Sequence, residues 1–384
     1  MRFLKADKVF NGRELLPINT LLVTDENGKL KDFVQEQDID SLKIERFEGT
    51  LTPGFVNAHC HLELSHLHNK IHQHTGLPSF AKQVIIQRNT VSKEEIAEHT
   101  KDANAKMWNK GIVAVGDISN NDESFLEKAN SKIFYHTFIE LIGLNPAGAE
   151  KIFDGGISLL QKLNTYNLKG SLSAHAAYST SNKLIKKIAD FDFAQDFSFS
   201  IHNQESDEET KMMVGEKSEL EALFKFLNID LSWFTAPGLS SLESYANVLS
   251  KNRSILVHNR VTIQNDLRRV LDKNVFWCFC PNANLYIENA LPNFAIFKDQ
   301  KHNICIGTDS LASNEQLDLV NEVNIILADN RVFTTQDLLR AITINGAEAL
   351  GITDNYGQLQ VGKNAGLNLV NIANSQIQFI KKIN

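Results

Sequence analysis

Residues Leu51–Glu63 read LTPGFVNAHCHLE. An apolar run that starts at Gly54 stops at His59, and His61 follows two positions later. In an extended segment, side chains two residues apart point to one side. Both imidazoles therefore face the same way at the end of a strand and can chelate one ion. An isolated HxH pair is weak evidence, so its meaning depends on what the rest of the chain brings beside it.

Upstream, from Met1 to about Leu51, short β-type runs at Arg2–Phe10 and Asn19–Thr24 are separated by the turn residues Asn11-Gly12 and Asn27-Gly28. This reads as a small β module. Downstream of Pro53, apolar strands are each followed by a longer helical stretch, the signature of parallel βα units. Eight candidate strands stand at Gly54–His59, Gly111–Asp117, Ile133–Glu140, Leu168–His175, Phe197–His202, Ser254–His258, Val275–Cys280 and Asn303–Asp309. Between them, apolar residues recur at helical spacing in Lys93–Lys110, Ile152–Leu163, Lys183–Asp190, Leu220–Leu227 and Ile263–Leu271. Eight strands in this alternation predict an α/β fold, a TIM (β/α)8 barrel. After Asp309 come helical stretches at Glu315–Ala328 and Thr335–Leu350, then short strands around Gly357–Val361 and Gly366–Ile372 that return to the N-terminal module. The expected organisation is a barrel over residues 53–354 inserted into a small composite β-sandwich domain built from residues 1–52 and 355–384.

Seven of the eight strands run apolar and stop at a polar group: His59, Asp117, Glu140, His175, His202, His258 and Asp309. In a TIM barrel the C-terminal ends of the strands surround the active site. His59, His61, His202 and Asp309 together form a three-His, one-Asp set suited to Zn²⁺ and able to hold Fe²⁺ or Mn²⁺. Such an ion lowers the pKa of bound water from about 15.7 to about 7 and so makes a nucleophile at neutral pH. A proton must then reach the leaving nitrogen, which departs poorly as an anion. Glu205, three residues beyond His202, is the candidate shuttle, while Asp207, Glu208 and Glu209 are read as solvent-facing and as the start of the next helix. His258, carried to the mouth by Ile255, Leu256 and Val257, is the candidate partner of the water or the substrate.

Composition narrows the substrate. The chain has 384 residues, 42% hydrophobic and 22% charged, with a net charge of −7. An acidic balance gives no electrostatic footprint for nucleic acid or an anionic membrane, and a small molecule is the expected substrate. The four cysteines, Cys60, Cys278, Cys280 and Cys305, show no disulfide or zinc-ribbon spacing. Charges interrupt the apolar pattern of Met1–Pro17, so no secretory h-region is read there. A cytoplasmic location is expected.

These residues resemble the amidohydrolase superfamily, in the chlorohydrolase and aminohydrolase branch that includes guanine deaminase and S-adenosylhomocysteine deaminase. The resemblance spans nearly the whole chain. Beyond LTPGFVNAHCHLE its landmarks are SAHAAYSTS at Ser173–Ser181, IHNQESDEE at Ile201–Glu209, LVHNR at Leu256–Arg260, CPNANLYI at Cys280–Ile287 and GTDSLASN at Gly307–Asn314. The stretches Ala341–Ile352 and Tyr356–Val370 resemble the family's return into its composite β domain. The resemblance implies one metal on His59, His61, His202 and Asp309, with Glu205 and His258 acting on water and substrate and His175 lying at the substrate. Binuclear relatives bridge two metals through a lysine on a barrel strand; here His175 ends the fourth strand and Lys169 lies at its other end. Relatives often read PxSN at the seventh strand, whereas this chain has Pro281-Asn282-Ala283-Asn284.

The expected reaction is hydrolytic deamination of an aminopurine, a nucleoside or a related N-heterocycle, with release of ammonia. Hydrolysis of a cyclic amide or a chlorinated ring on the same site is the alternative. Glu63, His66, His175, Asn282 and Asn284 are candidate hydrogen-bonding contacts to the substrate, and Tyr178 and Phe80 are candidate stacking rings. A homodimer is expected only by analogy with similar enzymes.

Overall fold

The computed structural model describes residues 1–329 and 332–383. Eight parallel strands form one sheet: β5 (Phe55–Cys60), β6 (Ile112–Ser119), β7 (Phe134–Leu141), β8 (Lys169–Ala176), β9 (Phe199–Asn203), β10 (Ser254–His258), β11 (Val275–Phe279) and β12 (Ile304–Ile306). They pair in strict chain order from β5 to β12. Backbone contacts then bring the last strand round to the first. The Thr308 and Asp309 N–H groups both donate to the His59 carbonyl, at 2.9 and 3.2 Å, and Cys60 and Asp309 form a parallel bridge. Gly307 permits this approach, because a Cβ there would lie 2.7 Å from the His59 Cβ and 2.8 Å from the His59 carbonyl oxygen.

Strands buried on both faces explain the near-continuous apolar runs of the sequence. Side chains alternate between two cores, as a period of two requires. Val56, Ile118, Phe138, Ile255, Val257 and Phe276 pack together with Leu350, while their neighbours Phe55, Ile139 and Leu256 join the larger core shared with the helices.

The second sheet mixes both ends of the chain. Its order is β14 (Gln376–Lys382), β13 (Leu367–Ala373), β4 (Ile44–Pro53), β1 (Arg2–Val9), β2 (Thr20–Thr24) and β3 (Leu30–Gln35). β13 runs antiparallel to β4, with Leu367 opposite Pro53 and Val370 opposite Thr50. The tail therefore returns beside the strand that leads into the barrel.

Several local expectations change. β12 is only three residues long, so Asp309 stands on the loop beyond it. The helix expected from Glu315 starts at Leu319, where the Asp318 carboxylate accepts from the Val320 N–H at 2.9 Å. The stretch Thr335–Leu350 divides into helices Thr335–Ala341 and Ile344–Leu350, because Thr343 leaves helical geometry at φ −129° and ψ −97°. Gly357–Val361 is a loop rather than a strand, bent by the positive φ of Gly357 (83°). Two helices that the periodicity did not disclose, Leu77–Gln87 and Pro281–Glu288, lie near the barrel mouth. Among the described residues no helix is long and apolar enough to cross a membrane.

Candidate metal centre and active site

The ends of β5, β9 and β10 and the loop after β12 gather four histidines and one aspartate. Nε2 of His61 lies 3.1 Å from Nε2 of His59 and 3.3 Å from Nε2 of His202. Oδ1 of Asp309 is 3.4 Å from Nε2 of His61 and 3.6 Å from Nε2 of His59. His258 joins the group, its ring stacked on His202 with centroids 5.4 Å apart. All five side chains are buried.

Burial holds His59, His61 and His258 well below the ordinary histidine pKa and lowers His202 as well. Neutral imidazoles, each with a free lone pair, are what a metal site needs. Burial would raise the Asp309 carboxyl, but His61, His258 and the Ser313 hydroxyl outweigh it and keep the group below its usual range. The Ser313 Oγ donates to Oδ2 at 2.6 Å, which leaves Oδ1 toward the histidines. The His202 Nδ1 donates to the His175 carbonyl at 2.9 Å and so turns Nε2 to the cluster.

Backbone strain collects here. Gln204, His258, Asn259 and Asp309 all adopt positive φ, between 49° and 75°. Non-glycine residues enter this region at a cost and are held there by the surrounding structure.

Glu205 follows β9 and is buried. Its carboxyl is pushed well above its ordinary pKa by burial first and then by Asp309, Glu209 and Glu288, with Arg260 opposing. Its backbone is pinned at both ends: the N–H donates to Glu209 Oε2 at 2.8 Å, and the carbonyl accepts from Arg260 Nε at 2.8 Å. Glu209 is therefore not the solvent-facing acid read from the charge run. It is buried and holds the Gln204–Glu205 backbone through two N–H groups.

A cavity of about 220 Å³ opens onto this cluster. Its polar wall includes His61, Asn120, Glu140, His175, Glu205 and Asp309, and its apolar wall includes Leu77, Phe80, Val84, Leu223, Phe224 and Tyr178. Positions 77, 80, 81, 84 and 88 share one face of the helix Leu77–Gln87 and its C-cap, and that face lines the cavity.

The other residues singled out from the sequence divide. His175 lines the cavity, its Nδ1 held by the Ser179 Oγ at 2.5 Å. Asn284 is buried beside the site and bonds His258 Nδ1 through its amide at 3.5 Å. Glu63 is tied to Arg88 Nη2 at 3.2 Å and to the Asn120 N–H at 3.0 Å, and burial raises its carboxyl to about 7. Asn282 spends both its N–H and its amide on Glu322, each at 2.9 Å, and lies outside the cavity lining. His66 bonds the Arg88 carbonyl at 3.0 Å. Of the seven strand-end groups, Asp117 alone turns away from the mouth, to Lys128 at 2.5 Å and the Leu62 N–H at 2.8 Å. Lys169 opens β8 at the far end from His175. Arg88 and Asn120, which the sequence did not single out, join the polar wall. A lone Arg at a helix end and an Asn after a strand carry no signal without their tertiary partners.

The model of the amidohydrolase family matches residues 50–383. An adenosine deaminase from Helicobacter pylori is 25% identical over 335 residues, covering 85% of this chain and 80% of that protein. A 5′-deoxyadenosine deaminase from Methanococcus vannielii is 22% identical over 384 residues, covering 96% and 85%. Among solved structures, an aminofutalosine deaminase from Helicobacter pylori in complex with methylthio-coformycin superposes with a TM-score of 0.84 at 21% identity, covering 100% of both chains. A match that runs from the first barrel strand to the last strand of the composite sheet makes this chain a member of the amidohydrolase family.

Proposed function

We propose that this protein is a metal-dependent aminohydrolase that removes the exocyclic amino group of an adenine nucleoside as ammonia. The observation that carries the reading is the convergence of three Nε2 atoms, with those of His59 and His202 at 3.1 and 3.3 Å from that of His61, faced by the Asp309 carboxylate at 3.4 Å. Acceptor atoms collected so closely, with too few hydrogens between them, fit a cation. His59, His61, His202 and Asp309 would hold one divalent ion, and their nitrogen and oxygen donors suit zinc. Such an ion supplies Lewis-acid activation of water at neutral pH.

The chain's own residues account for the remaining steps. Glu205, whose proton affinity is raised by burial and by the nearby Asp309 carboxylate, accepts the water's proton and delivers it to the ring nitrogen beside the reacting carbon. Addition of water and loss of ammonia convert the amino-substituted carbon to a carbonyl. With Asn284 donating to Nδ1, His258 carries its own hydrogen on Nε2 and presents it to the attacking oxygen. The apolar wall of Leu77, Phe80, Val84 and Leu223 excludes water and holds the flat ring.

The relatives support the choice of substrate class: they are named for adenosine and 5′-deoxyadenosine. The experiment is an ammonia-release screen of purified, zinc-loaded protein against adenosine, 5′-deoxyadenosine, methylthioadenosine, adenine and guanine. Ammonia from the nucleosides is expected; no ammonia from any of them would sink the reading.

A further inference from the structure

Glu140 belongs to neither the ligand set nor the proton path. It stands near the end of β7 in the cavity wall, 6% exposed. Its Oε2 accepts from the Asn120 amide at 2.9 Å, and the Asn120 N–H is itself fixed on Glu63 at 3.0 Å. Oε1 differs. It lies 3.4 Å from His202 Nδ1, but that ring's hydrogen goes to the His175 carbonyl at 2.9 Å. Oε1 thus accepts no hydrogen bond among the described residues. A buried acceptor without a donor is costly, and one that borders a ligand cavity is completed by the ligand.

We propose that Glu140 accepts a hydrogen bond from a secondary hydroxyl of the substrate's sugar, so that this residue separates nucleosides from free bases. The inference rests on the adenine-nucleoside reading above. In a glycosylated adenine the ring nitrogens carry no hydrogen. Its one base donor, the exocyclic amine, is the reacting group and must face Asp309 and the histidines. The donors that remain are sugar hydroxyls. Adenosine and 5′-deoxyadenosine have the 2′ and 3′ hydroxyls in common, while the second lacks the 5′ one. The brace from Asn120 occupies Oε2 and leaves Oε1, on a residue of the cavity wall, as the carboxylate oxygen without a donor among the described residues.

The test compares adenosine with 2′,3′-dideoxyadenosine on zinc-loaded wild type and Glu140→Gln, with metal content measured for both proteins. In the wild type, kcat/KM for the dideoxy compound is expected to be lower by about tenfold or more, the scale of one lost charge-assisted hydrogen bond. In the variant, adenosine should fall by a similar factor, with dideoxyadenosine turnover and zinc content unchanged. Equal loss on both substrates, or loss of zinc, would mean that Glu140 acts through His202 and would overturn the proposal. If the variant does not fold, the wild type alone decides, because equal turnover of both substrates excludes a hydroxyl contact. Absence of ammonia from every nucleoside would instead overturn the reading of the reaction, and this inference with it.

Discussion

Nε2 of His258 stands 3.6 Å from Oε1 of Glu205, with both side chains buried. The gap is too long for a direct hydrogen bond and narrow enough for one small group to touch both. Two different backbones set it: the strained exit of β10, where His258 has φ 75°, and the loop after β9 pinned by Glu209 and Arg260. Acid and histidine thus flank one point beside the His59–His61–His202 cluster.

Glu205→Gln keeps the shape of the side chain and removes its ability to relay a proton. We expect kcat to fall by about 10²–10⁴-fold, the usual contribution of a positioned acid–base group, with zinc content unchanged by elemental analysis. A variant of near-normal rate would remove Glu205 from the proton path.

Ser313→Ala deletes the 2.6 Å hydrogen bond that turns the Asp309 carboxylate. Outer partners of metal ligands are worth about 10–100-fold in metal affinity or activity. Zinc affinity measured by competition with a chelator should weaken on that scale, whereas His202→Ala, which deletes one of the proposed ligands outright, should leave the purified protein with little metal.

Lys128→Met tests stability away from the chemistry. Lys128 and Asp117 are both fully buried and paired at 2.5 Å, and Lys128 also donates to the Ser119 Oγ at 2.8 Å. Removing one partner leaves a buried carboxyl that burial already pushes upward. The expected cost is about 3–5 kcal/mol, read from urea unfolding. Adding Asp117→Asn should recover part of it; no recovery would point to lost packing instead.

Lys382 gives a pH signature. Its Nζ is buried without a hydrogen-bond partner among the described residues, and burial, with Lys132 nearby, draws its pKa from 10.5 down to about 7. Between those values the unfolded chain binds the proton that the folded chain has released, so folding stability rises as pH rises across that window. Lys382→Met should flatten this slope and stabilise the protein at pH 7, checked by melting temperature from pH 7 to 10. An unchanged slope would assign it to another group.

The barrel strands were legible because they are apolar on both faces and seven of the eight runs end in a polar group, so β5, β9 and β10 carry His59, His202 and His258 where the pattern placed them. Asp309 was legible although β12 stops at Ile306, since the residue that ends the apolar run is also the one turned back by positive φ. Asn282 and Glu63 show where reading along the chain stops. Their partners, Glu322 and Arg88, lie 40 and 25 residues away, and only folding shows that these bonds occupy their polar atoms. The helix Leu77–Gln87 escaped notice for a related reason. Only Leu77 and Pro78 are buried in it, and its remaining inward face borders a cavity rather than a core.

The join between β12 and β5 carries a consequence for how the molecule holds together. It consists of two N–H groups reaching the His59 carbonyl and one bridge from Cys60 to Asp309, whereas β8 and β9 pair at two positions and β11 and β12 at three. The residues that make this weak seam, His59 and Asp309, are the ones proposed to grip the ion. An ion held there would act as a clasp on the cylinder, fastening the first stave to the last. Stripping it should open the wall locally, with the Thr308 and Asp309 amides the first of the barrel to exchange their hydrogens with solvent.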